Sequence, residues 1–175
     1  MTTIRTRLGM AALIIIVGAG VPLLSGCSSA VQGAVEQAAG NAIGGDVNIS
    51  SDGLSVTDSN GNEIQVGGDV TLPDNWPAEV PTVDGGKLVT VMVAGDGASV
   101  NAMWTTEAST ADTAASYSSA LTAAGYTQEQ TSAAGDIQNS QWLGNGYRVN
   151  VMVSGADGTT SVLVNAEKAA SPSAS

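Results

Sequence analysis

Between residues 87 and 167 apolar and polar positions alternate in short runs separated by Asp-Gly and Asn-Gly dipeptides, the pattern of antiparallel strands joined by tight turns. Leu88-Val89-Thr90-Val91-Met92-Val93 is almost wholly apolar or β-branched and predicts an inner strand. Val100, Ala102 and Trp104 alternate with Asn101, Met103 and Thr105, predicting a half-buried strand that pairs with it across Asp96-Gly97. Ser109 followed by Asp112 is a weak capping box; Ala114, Tyr117, Leu121 and Ala124 then share one helical face, and Gly125 supplies the stop. Beyond the helix, residues 126–131 are expected as a strand, 132–139 as a loop, and Gln141-Trp142-Leu143 as the start of another strand. Tyr147, Val149, Val151 and Val153 follow Asn145-Gly146, and Val162 and Val164 follow Asp157-Gly158. The expected order is ββαβββ in an α+β fold, a small two-layer sandwich of one helix on a mainly antiparallel sheet. One helix cannot cover both faces of such a sheet, so the other face is expected to be partly wet.

The preceding residues change the period. In 28–45, Ala30, Val31, Ala34, Val35, Ala38 and Ala42 recur at helical spacing, but alanine buries little area and four glycines weaken the helix, so 27–45 is expected to be a partly helical tether. In 46–73, Val47 and Ile49, Leu54 and Val56, Ile64 and Val66, then Val70 and Leu72 give four alternating pieces of a β-meander, with turns at Asp52-Gly53 and Asn60-Gly61. Residues 74–86 form a proline-rich connector, where Pro73, Pro77 and Pro81 bracket a Trp76 expected to dock on the domain. The tail 168–175, rich in serine with Pro172, is expected to be disordered.

The first 26 residues have a different chemistry. Arg5 and Arg7 precede an apolar run over 8–24, and the run ends in Leu24-Ser25-Gly26-Cys27, which contains the chain's one cysteine. A spanning helix needs roughly 20 mostly apolar residues, whereas this run is interrupted by Gly9, Gly18, Gly20 and Pro22. A basic start, an apolar stretch and small residues before a cut are the marks of a secretory signal. Leu-Ser-Gly-Cys closely resembles the lipobox of bacterial lipoproteins, and the small-residue-rich composition is similar to that of actinobacterial cell-envelope lipoproteins. The resemblance implies a signal peptide over 1–26, diacylglycerol on the Cys27 thiol, and residence on the extracytoplasmic face of the cell membrane. Two acyl chains would hold a protein that one would hold only weakly. A plain secretory signal is the alternative and leaves Cys27 a free thiol. For 87–167 the resemblance implies no activity.

Charge and composition then narrow the function. The chain carries 5 basic and 16 acidic residues, a net charge of −11. Without Arg5 and Arg7, three basic residues (Lys87, Arg148 and Lys168) face the 16 acidic ones, hence −13. Phosphate backbones are bound by Lys and Arg, so nucleic acid is excluded as a partner. There is no histidine, which removes the usual general base near neutral pH and the commonest metal ligand, and the only thiol is assigned to the anchor. Lys87 and Lys168 lie in no serine motif, and most acidic residues sit beside glycines in turns. No catalytic residue, metal ligand or cofactor is therefore expected. Asp58, Asn60 and Asn62 alternate like the first half of a calcium loop, but Glu63 stands where that loop needs glycine, and Asp69 where it needs a bidentate Glu. The expectation is a non-catalytic, lipid-anchored module that binds an envelope protein or a small ligand on its open sheet face or edge. The alternative is a calcium-dependent structural module using Asp52, Asp58, Asp69, Asp96 and Asp157. A carrier of apolar ligands needs a cavity that a Val, Ala and Leu core with one helix is too thin to enclose.

Overall fold

The computed structural model describes residues 28–68, 70–94 and 97–169, without the side chains of 28–32 and 43. Residues 1–26, expected as a signal peptide, Cys27, Asp69, Asp96 and the tail from 170 onward lie outside the described residues. The chain is α+β: α1 (Ser28–Ile43), β1 (Asp46–Ile49), β2 (Gly53–Thr57), β3 (Glu63–Gly67), β4 (Lys87–Val93), β5 (Ser99–Thr106), α2 (Thr110–Ala123), β6 (Thr127–Ala134), β7 (Ile137–Gly144), β8 (Tyr147–Ala156) and β9 (Thr159–Lys168). The strands form one antiparallel sheet in the order β1-β2-β3-β4-β5-β9-β8-β7-β6. The meander β1 to β3 therefore continues into the same sheet through β3 and β4.

Alternation sorts the sheet into two faces. Val100, Ala102 and Trp104 of β5 lie in register with Ala166, Val164 and Val162 of β9, which lie in register with Val149, Val151 and Val153 of β8. All nine are buried. Over them pack Tyr117 and Leu121 of α2, and Val80 and Val83 from the connector. Helix α2 starts where Ser109 Oγ accepts the Asp112 N–H at 3.1 Å and ends before Gly125, whose φ of 87° only glycine adopts easily. Trp76 docks as expected: its ring meets Trp104 edge-on at 5.6 Å, and its Nε1 donates to the Val80 carbonyl at 3.0 Å. The Tyr117 hydroxyl donates to the Pro81 carbonyl at 2.7 Å, tying helix to connector.

Four expectations need correction. Residues 132–139 are not a loop but the tip of a β6–β7 hairpin, turning at Gly135 with φ 59°. Each of the four segments read as strands after α2 lies in a strand, β6 to β9, so the order from β4 is ββαββββ and not the expected ββαβββ. The loop expectation fails because β6 is an edge strand with all eight residues exposed, so backbone pairing holds it without an alternating apolar signal. Val70 and Leu72 are not a fourth meander strand; they leave the sheet after Gly67 and pack against the core. The Asp52-Gly53 turn lies one residue earlier, with Ser50 Oγ accepting the Asp52 and Gly53 N–H groups, and Gly53 already begins β2. Glycine is needed there because a Cβ would come within 2.6 Å of the Val66 carbonyl oxygen. Finally, Lys168 ends β9 and the Ala169 N–H donates to the Gly146 carbonyl, so the ordered chain runs into the expected tail.

Candidate functional site

Among the described residues nothing covers the face opposite the core. On it Met92, Ile137, Leu143 and Met152 are 36 to 44% exposed. Its floor is built by strand register alone. Gln130 of β6 stands opposite Gln141 of β7, which faces Asn150 of β8, which faces Asn165 of β9, which faces Asn101 of β5. Five carboxamides thus form one row at right angles to the strands.

The row is hydrogen-bonded with one polarity. Gln141 Nε2 donates to Asn150 Oδ1 at 3.0 Å and Asn150 Nδ2 to Asn165 Oδ1 at 3.4 Å. Asn165 Nδ2 then donates to Asn101 Oδ1 and Ser99 Oγ, each at 2.9 Å. A carboxamide has two N–H donors and two acceptor lone pairs, so most of this capacity stays free on a half-buried floor. The adjacent rung places Ser132, Asn139, Met152 and Leu163 side by side. Together the two rungs line a shallow, open trough of about 610 Å³, and Glu129 is its one charged lining residue. On the other flank of the amide row, Arg148 and Glu167 pair across β8 and β9 at 3.5 Å. Between residues 113 and 156 the charged side chains are Glu129, Asp136 and Arg148, so this part of the sheet is almost neutral in a chain of net −11.

Both edges of the sheet differ from this floor. At β1 the edge is short and α1 packs beside it, with Glu36 Oε1 accepting the Ile49 N–H at 2.7 Å. At β6 the strand is eight residues long and carries a bulge between Gln128 and Gln130.

Of the residues singled out for calcium, Asp69 and Asp96 lie outside the described residues, and Asp52, Asp58 and Asp157 do not come together. Asp58 closes the β2–β3 hairpin, its carboxylate accepting the Asn60 and Asn62 N–H groups and the Asn62 side-chain amide. The Asn62 side-chain bond, followed by the backbone bonds, holds its carboxyl below the ordinary range. This is an Asx-type turn, with Gly61 at φ 77°. Asp52 sits in the β1–β2 turn and Asp157 in the β8–β9 turn, where its φ is 51°. Among the described residues no group of three His, Cys, Asp or Glu side chains could hold a metal ion. Among them too, no helix is long and apolar enough to cross a membrane.

Sequence reading missed the amide row, because its neighbouring members lie 9 to 64 residues apart and only the register of five strands joins them. A signal was present in the outward positions of β5, β8 and β9, each of which has Asn between apolar inward residues. No protein-family model matches the chain, and neither a curated protein nor a solved structure is detectably similar to it, so its function is argued from this geometry.

Proposed function

We propose that the chain is a lipid-anchored, extracytoplasmic, non-catalytic binding module, held to the cell membrane through Cys27 and recognising another component of the envelope with the open face of its sheet. In this reading 87–167 is a two-layer sandwich of α2 and the connector on the sheet, and α1 is the tether between the lipid and β1. The observation that carries it is the uncovered trough. A sheet face that only had to be soluble would be covered with charge, whereas this one presents neutral amides and half-exposed Met152 and Leu163. Calcium is the weaker reading, since the Asp58 carboxylate is already engaged by its own loop.

The test uses full-length protein made in a bacterial host, with a photo-crosslinking side chain at Met152 on the open face or at Ser119 on the outer side of α2. Intact mass after membrane extraction should show a chain that begins at Cys27 and carries diacylglycerol, and adducts should form from position 152 and not from 119. An unmodified Cys27 refutes the anchor, and equal adducts from both positions refute the assignment of the face.

A further inference from the structure

We propose that the trough binds a neutral, extended β-linked glycan, laid across the strands with successive sugar rings over successive strands; this rests on the open face being the binding surface. Three observations select the ligand class. The first is period. Adjacent strands stand about 4.8 Å apart, so the four amides of the row that line the trough, Gln130, Gln141, Asn150 and Asn165, repeat at that spacing over roughly 14 Å. One hexose unit of an extended β-linked chain advances by nearly the same distance. An extended peptide advances about 3.3 Å per residue and falls out of step within two strands. A periodic floor favours a ligand of matching period.

The second observation is hydrogen-bonding character. A hydroxyl both donates and accepts, and so does each carboxamide. The internal bonds of the row consume one donor of Gln141, one of Asn150 and both of Asn165, while Gln130 makes no side-chain bond within the described residues, so the free donors lie towards β6 and β7. The unspent groups therefore suit a ligand dense in hydroxyls. Met152 and Leu163 on the neighbouring rung offer apolar surface to the C–H faces of the rings.

The third is charge. A chain with 16 acidic residues repels polyanions, yet this trough has a single carboxylate, Glu129, at its outer edge. A neutral polymer meets no electrostatic barrier and needs no counter-charge, whereas a phosphate- or uronate-bearing polymer would meet repulsion.

The experiment is calorimetric titration of full-length protein in detergent with cello-oligosaccharides and chito-oligosaccharides of increasing length, with an acidic glycan for comparison. Affinity should rise with length up to about four units and then level, should change little with salt, and should be absent for the acidic glycan. The double variant Gln130→Ala/Gln141→Ala should bind at least about tenfold more weakly. Its melting temperature should stay near wild type, because Gln130 makes no internal bond and Gln141 makes one. Failure of both neutral series to bind, affinity independent of length, or equal affinity of the double variant would overturn the proposal. Crosslinking from Met152 without any glycan binding overturns the ligand class and leaves the binding face standing.

Discussion

Replacing Asn165 by alanine tests whether the row is one connected unit or a set of separately solvated side chains. Asn165 is its hub: the amide nitrogen serves Asn101 and Ser99 at 2.9 Å each, and its oxygen accepts from Asn150 at 3.4 Å. A typical intramolecular hydrogen bond contributes about 0.5–1.5 kcal/mol net. The partners are half-buried and recover some water when Asn165 is lost, so the expected cost is at the low end of the sum, about 1.5 kcal/mol. Asn101→Ala loses one accepted bond and should cost about 0.7 kcal/mol. In a connected row the double variant should cost less than the two singles together, with a coupling of about 0.5 kcal/mol or more. Asn139→Ala, exposed on the next rung and without a side-chain bond, serves as the control for replacing Asn by Ala in a strand and should change stability little. Urea melts followed by tryptophan fluorescence provide the assay, with the slope of the transition expected to be unchanged. Additivity of the Asn101 and Asn165 variants within about 0.3 kcal/mol, or an Asn165→Ala cost no larger than that of the control, would refute the row as a cooperative element.

Other parts of the fold make separate predictions. Gly53→Ala pushes a Cβ to 2.6 Å from the Val66 carbonyl and should destabilise by about 1–3 kcal/mol, read as a lower urea midpoint; an unchanged midpoint would show that the β2–β3 approach is looser than described. Trp76→Ala removes the edge-on contact with Trp104 and the bond to Val80, so it should cost about 2–4 kcal/mol and shift the remaining tryptophan emission to the red. Burial, and then the nearby Tyr126, push the Tyr117 hydroxyl above the ordinary phenol value of 10.0. The unfolded chain then releases the proton first, so stability is intact below pH 10 and falls as pH rises above it; in Tyr117→Phe that part of the alkaline loss should vanish, at a cost of about 1–2 kcal/mol from the missing bond to Pro81. Asp58 shifts the opposite way, so its contribution to the β2–β3 turn is present above the ordinary carboxylate range and lost on acidification. Amide exchange at Asn60 and Asn62 should speed up as the carboxyl protonates and be pH-insensitive beyond the intrinsic rate in Asp58→Ala.

How much of this was legible in the sequence depended on whether the signal was local. The β4–β5 hairpin, α2 with its Ser109 cap, and the Asn145-Gly146 and Asp157-Gly158 turns are local, and each lies where the pattern put it, with both turn pairs at positive φ. The β6–β7 hairpin failed because Ser132, Ala133 and Asn139 carry neither alternation nor branching, and an edge strand is specified by its neighbour rather than by its own residues. Val70 and Leu72 failed for the reverse reason. Two apolar residues two apart read as a strand, but the same spacing serves an extended segment that packs across a core, and Gly67 with φ 132° turns the chain away. The open face was foreseen from one helix being too small to cover two faces. Its chemistry was not, because the amide row is a property of register.

Register also decides where a bound ligand would sit relative to the membrane. In the proposed reading the chain leaves the lipid at Cys27, passes through α1 and enters the sheet at β1, the opposite end from β6. At about 4.8 Å per strand, the near side of the trough at β9 is five strands from β1, roughly 24 Å along the sheet, and the far side at β6 is eight strands away, roughly 38 Å. In this reading the neutral trough lies at the distal end of a sheet whose anchored end holds Asp46 at the start of β1 and the turn residues Asp52 and Asp58. Anionic head groups repel those carboxylates, and repulsion at the anchored end tilts the sheet away from the surface rather than onto it. In this reading charge at one end and its scarcity at the other would serve the same outcome, a binding face that stands clear of the bilayer within reach of an extended neutral polymer. Moving the anchor tests this directly. With the chain permuted so that residues 1–43, signal and cysteine included, lead directly into β9 at Thr159, Lys168 is joined to Gly44 by a flexible linker and the chain ends at Ala156, the anchor is transferred next to β9, the trough would lie close to the lipid, and binding of long glycans on intact membranes should weaken while binding by detergent-extracted protein stays the same. Equal weakening in both preparations would show that the transfer damaged the site, and no weakening in either would refute the role of distance.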